Sequence, residues 1–377
     1  MFRSGWTFGH FRGIPLRLHV SLLLLPLIAI SFPAQNIPYL LDQAGIQGAQ
    51  IMTLPLVVGF VFSVTLFASV LLHELGHAAV ALKVGSRVKS INLMILGGIT
   101  EIDQDDATPG ETLRIAAAGP LVNFILGGIA LLILPITAFS GDLHAGVMLF
   151  AALNLLLAVF NLFPALPLDG GRILRAAIEM KTNRLRATRI AVGIGRLIAA
   201  GACLAGLMTG DLFLVLMAGF LYLGGVSERN SARMRQSLEG LTVRQAMTIQ
   251  VVSVEPSRPT TSVARHMLMH DARAALVRDS MDTYGVILAE DLTGQGDREV
   301  GDLVDGAPLW AHVDDDLSPV VREMRWSRKP VIVRDACNTP VGVVTLGDIF
   351  RAASLRQIAD EALGGVRASI ESSHHEA

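Results

Sequence analysis

His73 and His77 stand four residues apart in Leu71-Leu72-His73-Glu74-Leu75-Gly76-His77-Ala78-Ala79, an H-E-x-x-H pattern. On a helix, residues i and i+4 lie one turn apart on the same face, so both imidazoles can reach one zinc ion. Glu74 lies beside that face and could activate a metal-bound water. The pattern also arises by chance in soluble helices, so its meaning rests on what surrounds it. Leu54 to Leu72 carries no charged side chain and is long enough to cross a bilayer, which takes about 20 residues. A His-Glu-His set in that setting is hard to stabilise without a metal or a partner. Ionisable groups at membrane depth default to a functional reading.

The elements that must hold these residues follow from the distribution of apolar and charged side chains. The 377 residues are 51% hydrophobic and 17% charged, with a mean hydropathy of +0.51, unlike an ordinary soluble protein of this length. Residues 18–82 hold only Asp42 and Glu74 as charged side chains, whereas the chain after about residue 228 has ordinary polar composition. A membrane domain followed by a soluble one is expected. The net charge of -2 gives no support to nucleic-acid binding. Cys203 and Cys337 fall in different expected domains, which argues against a disulfide framework and against a cysteine zinc site. Arg3, Arg12 and Arg17 precede an apolar run without a small-residue cleavage site, so that run reads as a retained first helix.

Apolar segments at about 18–35, 54–80, 113–138, 145–164, 188–208 and 211–226 predict six crossings. The connections 36–50, 139–144 and 209–211 contain no Lys or Arg, while Arg12, Arg17, Lys83, Arg87, Lys89, Arg172, Arg175, Lys181 and Arg229 fall on the other side. This positive-inside pattern places both termini in the cytoplasm and His77 near the cytoplasmic end of the second helix. Between the second and third helices, 88–103 alternates and carries Gly97-Gly98, so a short β segment is expected there. Such backbone at membrane depth must be covered by protein or line a water cavity. A plain cytoplasmic hairpin is the other reading.

The third helix contains Ala116-Ala117-Ala118-Gly119-Pro120-Leu121-Val122-Asn123. Its small residues permit close helix contact, and Pro120 frees a carbonyl that Asn123 is placed to satisfy. The fourth helix ends in Asn161-Leu162-Phe163-Pro164-Ala165-Leu166-Pro167-Leu168-Asp169-Gly170-Gly171-Arg172. Two prolines and two glycines predict extended, sharply turned backbone that presents Asp169. An aspartate before Gly-Gly is often a turn residue or cap. The alternative is that Asp169 supplies the third ligand a catalytic zinc site needs.

Taken together, His73-Glu74-Leu75-Gly76-His77 in an apolar helix, Ala118-Gly119-Pro120 with Asn123, and Asn161 eight residues before Asp169 (169 − 161) resemble the site-2 protease family of intramembrane metalloproteases. The resemblance covers most of residues 10–180. It implies that His73, His77 and Asp169 bind one Zn2+, that Glu74 is general base and acid, and that Asn161 positions substrate or stabilises the oxyanion. It further implies regulated intramembrane proteolysis of membrane-spanning proteins, cleaved in or near a transmembrane segment. Many relatives carry a PDZ domain; no such insertion is visible here.

After a basic linker at 229–240, two related units are expected at 241–297 and 298–355, followed by a tail at 356–377 that begins as helix. Gly285 and Gly342, Met267 and Met324, and Asp291 and Asp348 share one offset of 57 residues (342 − 285), which marks an internal repeat. Each unit resembles a CBS motif. In such pairs a Thr and an Asp of Gly-h-h-Thr-x-x-Asp contact an adenine nucleotide, which implies Thr345 and Asp348 here; Leu288 replaces the threonine in the first unit, leaving Asp291. The pair could instead serve only to form a homodimer.

The expected architecture is a polytopic α-helical membrane domain over 1–228, with a short β segment, joined to a cytosolic α/β CBS-pair module. The expected location is the plasma membrane, with the lipid bilayer and transmembrane proteins as partners. Two alternatives stay open. One is a CBS-regulated transporter or channel in which His73, Glu74, His77 and Asp169 form an ion site, although matched broken helices in inverted repeats are not visible. The other is an inactive family member that acts as a binding partner.

Overall fold

The computed structural model describes residues 5–23, 55–94, 97–104, 106–278, 283–304 and 307–359. The chain divides into two units, Met1–Ala232 and Arg233–Ala377.

The first unit opens on a hairpin. Strand β1 (Gly5–Phe11) pairs antiparallel with β2 (Ile14–His19) through Arg12-Gly13. Both turn residues have positive φ, 50° and 83°, the backbone of a two-residue hairpin turn whose twist suits the flanking strands. The apolar run expected to form a first crossing therefore does not begin as a helix at residue 18. Leu18 and His19 end β2, Val20–Leu23 is a short 3-10 helix, and 24–35 lies outside the described residues. The reason is period two: Ile14, Leu16 and Leu18 alternate with Pro15, Arg17 and His19, and the first set packs into the core.

Strand β2 pairs parallel with β3 (Val88–Met94), and β3 pairs antiparallel with β4 (Gly97–Ile102). The β segment expected at 88–103 is thus two strands of a four-stranded sheet ordered β1-β2-β3-β4, with β4 at an edge. Ile14, Leu16, Ile91 and Leu93 bury one face of the sheet against Ala78, Ala81 and Ile115 of the helices beneath.

Those helices are α1 (Pro55–Lys83), α2 (Pro109–Ile133), α3 (Gly141–Asn161), α4 (Asp169–Glu179), α5 (Arg184–Thr209) and α6 (Leu212–Leu238). Thr108 starts α2 through a capping box with Glu111, each side chain satisfying the other's backbone N–H, with Pro109 at the first helical position. A Cβ on Gly76 would lie 2.8 Å from Val122 and 3.1 Å from the Ala118 carbonyl, so α1 and α2 approach to backbone distance there. Five of the described helices are long and apolar enough to cross a membrane: Phe60–Lys83, Pro109–Thr137, Leu143–Asn161, Arg184–Thr209 and Leu212–Leu238. Leu132, Ile136, Leu207, Met208 and Phe213 stand exposed on them, a surface suited to lipid rather than water.

Two expectations change here. Gly170 and Gly171 do not extend a turn; Asp169, Gly170 and Gly171 are the first residues of α4. A Cβ on Gly170 would overlap the carbonyls of Leu162 and Phe163, and one on Gly171 would overlap the backbone of Ala165 and Leu166. The glycines let α4 fold directly against the loop that precedes it. The expected linker at 229–240 is also helical as far as Leu238, because α6 continues through it.

The second unit contains the predicted repeat. Strand β5 (Val251–Val254), helix α8 (Thr260–Met269), β6 (Ala274–Arg278) and β7 (Thr283–Leu288) recur as β8 (Leu309–His312), α9 (Leu317–Ser327), β9 (Val331–Arg334) and β10 (Pro340–Val344). A short α7 (Val243–Ala246) precedes them, and a helix at 346–359 follows. In each sheet the first two strands are parallel and the last two antiparallel. Ala274 and Leu276 of one sheet pack with Ile332 and Val343 of the other, which makes the two repeats one module.

Candidate active site

Helix α1 brings His73 and His77 to one face, and the loop after α3 returns Asp169 to them. His73 Nε2 lies 3.1 Å from Asp169 Oδ2, His77 Nε2 lies 3.2 Å from the same oxygen, and the two Nε2 atoms are 3.1 Å apart. His73, His77 and Asp169 are the one set of three or more metal-ligating side chains that converges among the described residues. All three are buried. Ligands about 2.0–2.1 Å from a tetrahedral zinc sit about 3.3 Å from one another, close to this triangle.

The tautomer of His77 also fits a ligand. Its Nδ1 lies 2.7 Å from the Ile115 carbonyl; a carbonyl only accepts, so Nδ1 carries the proton and Nε2 presents a lone pair to the cluster. Two imidazole nitrogens and a carboxylate oxygen converging this closely fit a cation between them. His73 Nδ1 is buried and has no hydrogen-bond partner among the described residues.

The room for that cation is set by α2. A Cβ on Gly119 would lie 2.5 Å from His73 Nε2 and 2.6 Å from His77 Cε1, so only glycine leaves the imidazoles where they are. Asp169 is held from the other side. Ala165 and Leu168 of its loop pack with Ala199 of α5 and with Ala218 and Leu221 of α6. A Cβ on Gly224 would press 2.6 Å from Pro167 Cγ. Arg175 of α4 is buried and reaches Glu228 at 3.5 Å. Burial is the largest influence on the Arg175 guanidinium and pushes its pKa down, with Glu228 opposing.

Glu74 is 6% exposed and accepts a hydrogen bond from the Thr100 hydroxyl of β4, 2.6 Å from Oε2. Asn161 forms no hydrogen bond with the cluster among the described residues; its Nδ2 donates to Leu157 O of its own helix at 2.9 Å. Asn123 is buried, and neither its Nδ2 nor its Oδ1 has a partner among the described residues, so it does not satisfy the carbonyl that Pro120 frees. Thr100 and the steric part of Gly119 were not found in the sequence. A threonine in a strand carries no spacing signal, and the glycine read only as a helix-contact residue.

In the second unit, Thr345 and Asp348 come together at a cavity of about 560 Å³ lined by both repeats. Asp348 Oδ2 accepts from the Thr345 hydroxyl and backbone N–H, at 2.7 and 3.0 Å. Its Oδ1 accepts from Thr248 at 2.8 Å and Arg351 at 3.0 Å. Arg273, Arg328, Lys329 and Arg351 add positive charge to the lining, and Leu288 stands in the first repeat at the place of Thr345.

Comparison with known proteins accords with this geometry. The model of peptidase family M50 matches residues 61–141 and 135–205. A zinc metalloprotease of Methanocaldococcus jannaschii is 30% identical over 350 residues, covering 93% of this chain and 96% of the relative. The chain belongs to peptidase family M50. It is a zinc metalloprotease of the site-2 type and a multi-pass membrane protein. Among solved structures, the site-2 protease from Methanocaldococcus jannaschii is 34% identical to this M50 chain, covers 60% of it and 95% of itself, and superposes with a TM-score of 0.44. A CBS domain of the bacterial CNNM/CorC family Mg2+ transporter, solved with ATP, is 25% identical, covers 33% of the M50 chain and 97% of itself, and has a TM-score of 0.28.

Proposed function

We propose that the chain hydrolyses peptide bonds within or near transmembrane segments of membrane-protein substrates. The observation that carries this reading is the buried triangle of His73 Nε2, His77 Nε2 and Asp169 Oδ2, with sides of 3.1–3.2 Å and its two histidines on an apolar helix. His73, His77 and Asp169 would hold one zinc, which when bound would supply a Lewis acid that acidifies a water and polarises the scissile carbonyl. Glu74 takes the water proton and delivers it to the departing amine. Asn161 sits at the end of α3, eight residues before Asp169, and orients the substrate carbonyl once its amide leaves Leu157 O. His73 lies ten residues before Lys83 (83 − 73), about 15 Å from the end of α1. This is about half the hydrocarbon thickness of a bilayer.

A substrate helix must unwind before its carbonyls can be attacked, because helical backbone groups satisfy one another in lipid. The edge of β4, which pairs with no further strand among the described residues, offers ladder partners to the unwound stretch. The distribution of Lys and Arg puts both termini and the CBS pair in the cytoplasm and suits a plasma-membrane location. The cationic lining of the 560 Å³ cavity, with Thr345 and Asp348 at its edge, suits an adenine nucleotide as regulator.

The test compares wild type with Glu74→Gln, using purified full-length chain and a single-pass membrane substrate. Both proteins should hold one zinc per chain and only the wild type should cleave. Equal cleavage by both, or no zinc in either, overturns the assignment. For the regulator, ATP, ADP, AMP and S-adenosylmethionine are titrated into the full chain; no heat and no thermal shift with any of them removes the nucleotide from the reading.

A further inference from the structure

We propose that Thr100 is a positioning residue for Glu74: its hydroxyl holds the Glu74 carboxylate in a single orientation against strand β4. This rests on the reading of Glu74 as the general base. The Thr100 hydroxyl lies 2.6 Å from Glu74 Oε2 and 3.4 Å from the Glu74 carbonyl. It has one proton to give, and the nearer acceptor is the carboxylate, at the short separation typical of a charge-assisted O–H···O bond.

Gly98 completes the clamp. Residues two apart on a strand share a face, so Gly98 and Thr100 address the same side of β4. Their partners on β3, Leu93 and Ile91, lie in the core that packs on α1. A Cβ on Gly98 would lie 2.5 Å from Glu74 Cδ and 2.5 Å from Oε1. The carboxylate therefore rests on the bare backbone of Gly98 at one oxygen and is bonded by Thr100 at the other. Among the described residues Glu74 has no hydrogen bond to its carboxylate other than this one. A three-torsion side chain, even at 6% exposure, would otherwise have other rotamers that turn the carboxylate away from the scissile bond.

The consequence is a shared element. If β4 receives the unwound substrate at its edge, the strand that places the scissile backbone also places the base. Proton transfer depends on heavy-atom distances of about 2.6–3.2 Å, so one strand setting both positions keeps them in register.

The test is steady-state cleavage of a single-pass substrate by the full chain, with zinc content and thermal midpoint measured on the same preparations. Thr100→Val keeps the shape and removes the hydroxyl; Thr100→Ser keeps the hydroxyl. Thr100→Val is expected to lower kcat by about 10- to 100-fold, the loss of a hydrogen bond to a charged group. KM, zinc content and thermal midpoint should stay at wild-type values, and Thr100→Ser should recover kcat to within about threefold of wild type. The proposal is overturned if Thr100→Val keeps wild-type kcat, if its defect lies in KM or in lost zinc, or if Thr100→Ser is as impaired as Thr100→Val. Glu74→Gln in the same assay separates the two levels. If it is inactive while Thr100→Val is normal, only the positioning role fails; if it cleaves normally, the base assignment itself fails.

Discussion

Replacing Gly119 with alanine adds one methyl group beside the metal centre, and its effect can be worked out from the contacts. The new Cβ would stand 2.5 Å from His73 Nε2, where ordinary contact begins at 3.4 Å, so the imidazole nitrogen must retreat by about 0.9 Å (3.4 − 2.5). Zinc sites hold their ligands to within about 0.2 Å. Disturbing only the groups that support ligands costs 10- to 100-fold in affinity; here the ligand atoms themselves move. Zinc affinity should fall by at least about 100-fold, or about 2.8 kcal/mol. Alanine is the better helix former by about 0.8–1.0 kcal/mol, so α2 itself should not weaken. The assay is competition for zinc with a chelator of known affinity, alongside circular dichroism of the metal-free protein. Gly128→Ala on the same helix is the control, since nothing lies within 4 Å of its added Cβ. Zinc binding by Gly119→Ala within threefold of the control would refute the idea that this glycine makes room for the imidazoles.

Beyond the Glu74 and Thr100 substitutions, two more outcomes are expected. Glu228→Gln removes the charge facing the buried Arg175 guanidinium; because Glu228 is 29% exposed, the cost is about 1–2 kcal/mol, read as a lowered thermal midpoint, and an unchanged midpoint would show that the pair carries no stability. Asp348→Ala strips Thr248, Thr345 and Arg351 of their common acceptor. It should destabilise the second unit by about 2–3 kcal/mol, seen in the denaturant midpoint of its transition. A midpoint at the wild-type value would argue that the aspartate is reserved for a ligand.

The cluster of His73, His77 and Asp169 was readable because a metal site demands residue types at fixed spacing. His73 and His77 are one helical turn apart, and a buried histidine pair in an apolar helix needs an acid, which Asp169 supplies. The hairpin β1-β2 was not readable from hydropathy, since Leu18 and His19 lead into an apolar run that the strand pattern of Ile14, Leu16 and Leu18 overlaps. Gly170 and Gly171 misled in the opposite direction. Glycine usually signals a break, yet here its lack of a side chain is what lets α4 begin against Leu162 and Ala165. The stretch 229–238 looked like a linker because it is charged, but charge alone does not end a helix, and α6 runs on to Leu238. Contacts between segments distant in sequence, such as Thr100 with Glu74, leave no trace in local spacing at all.

The triangle at His73, His77 and Asp169 also has a charge balance. As ligands, the two imidazoles would each give a lone pair, and Asp169 would be the one anionic donor of the three. A divalent cation held there would keep one positive charge uncompensated by its ligands. That remaining charge would meet the negative charge that develops on the oxygen of a peptide carbonyl under attack.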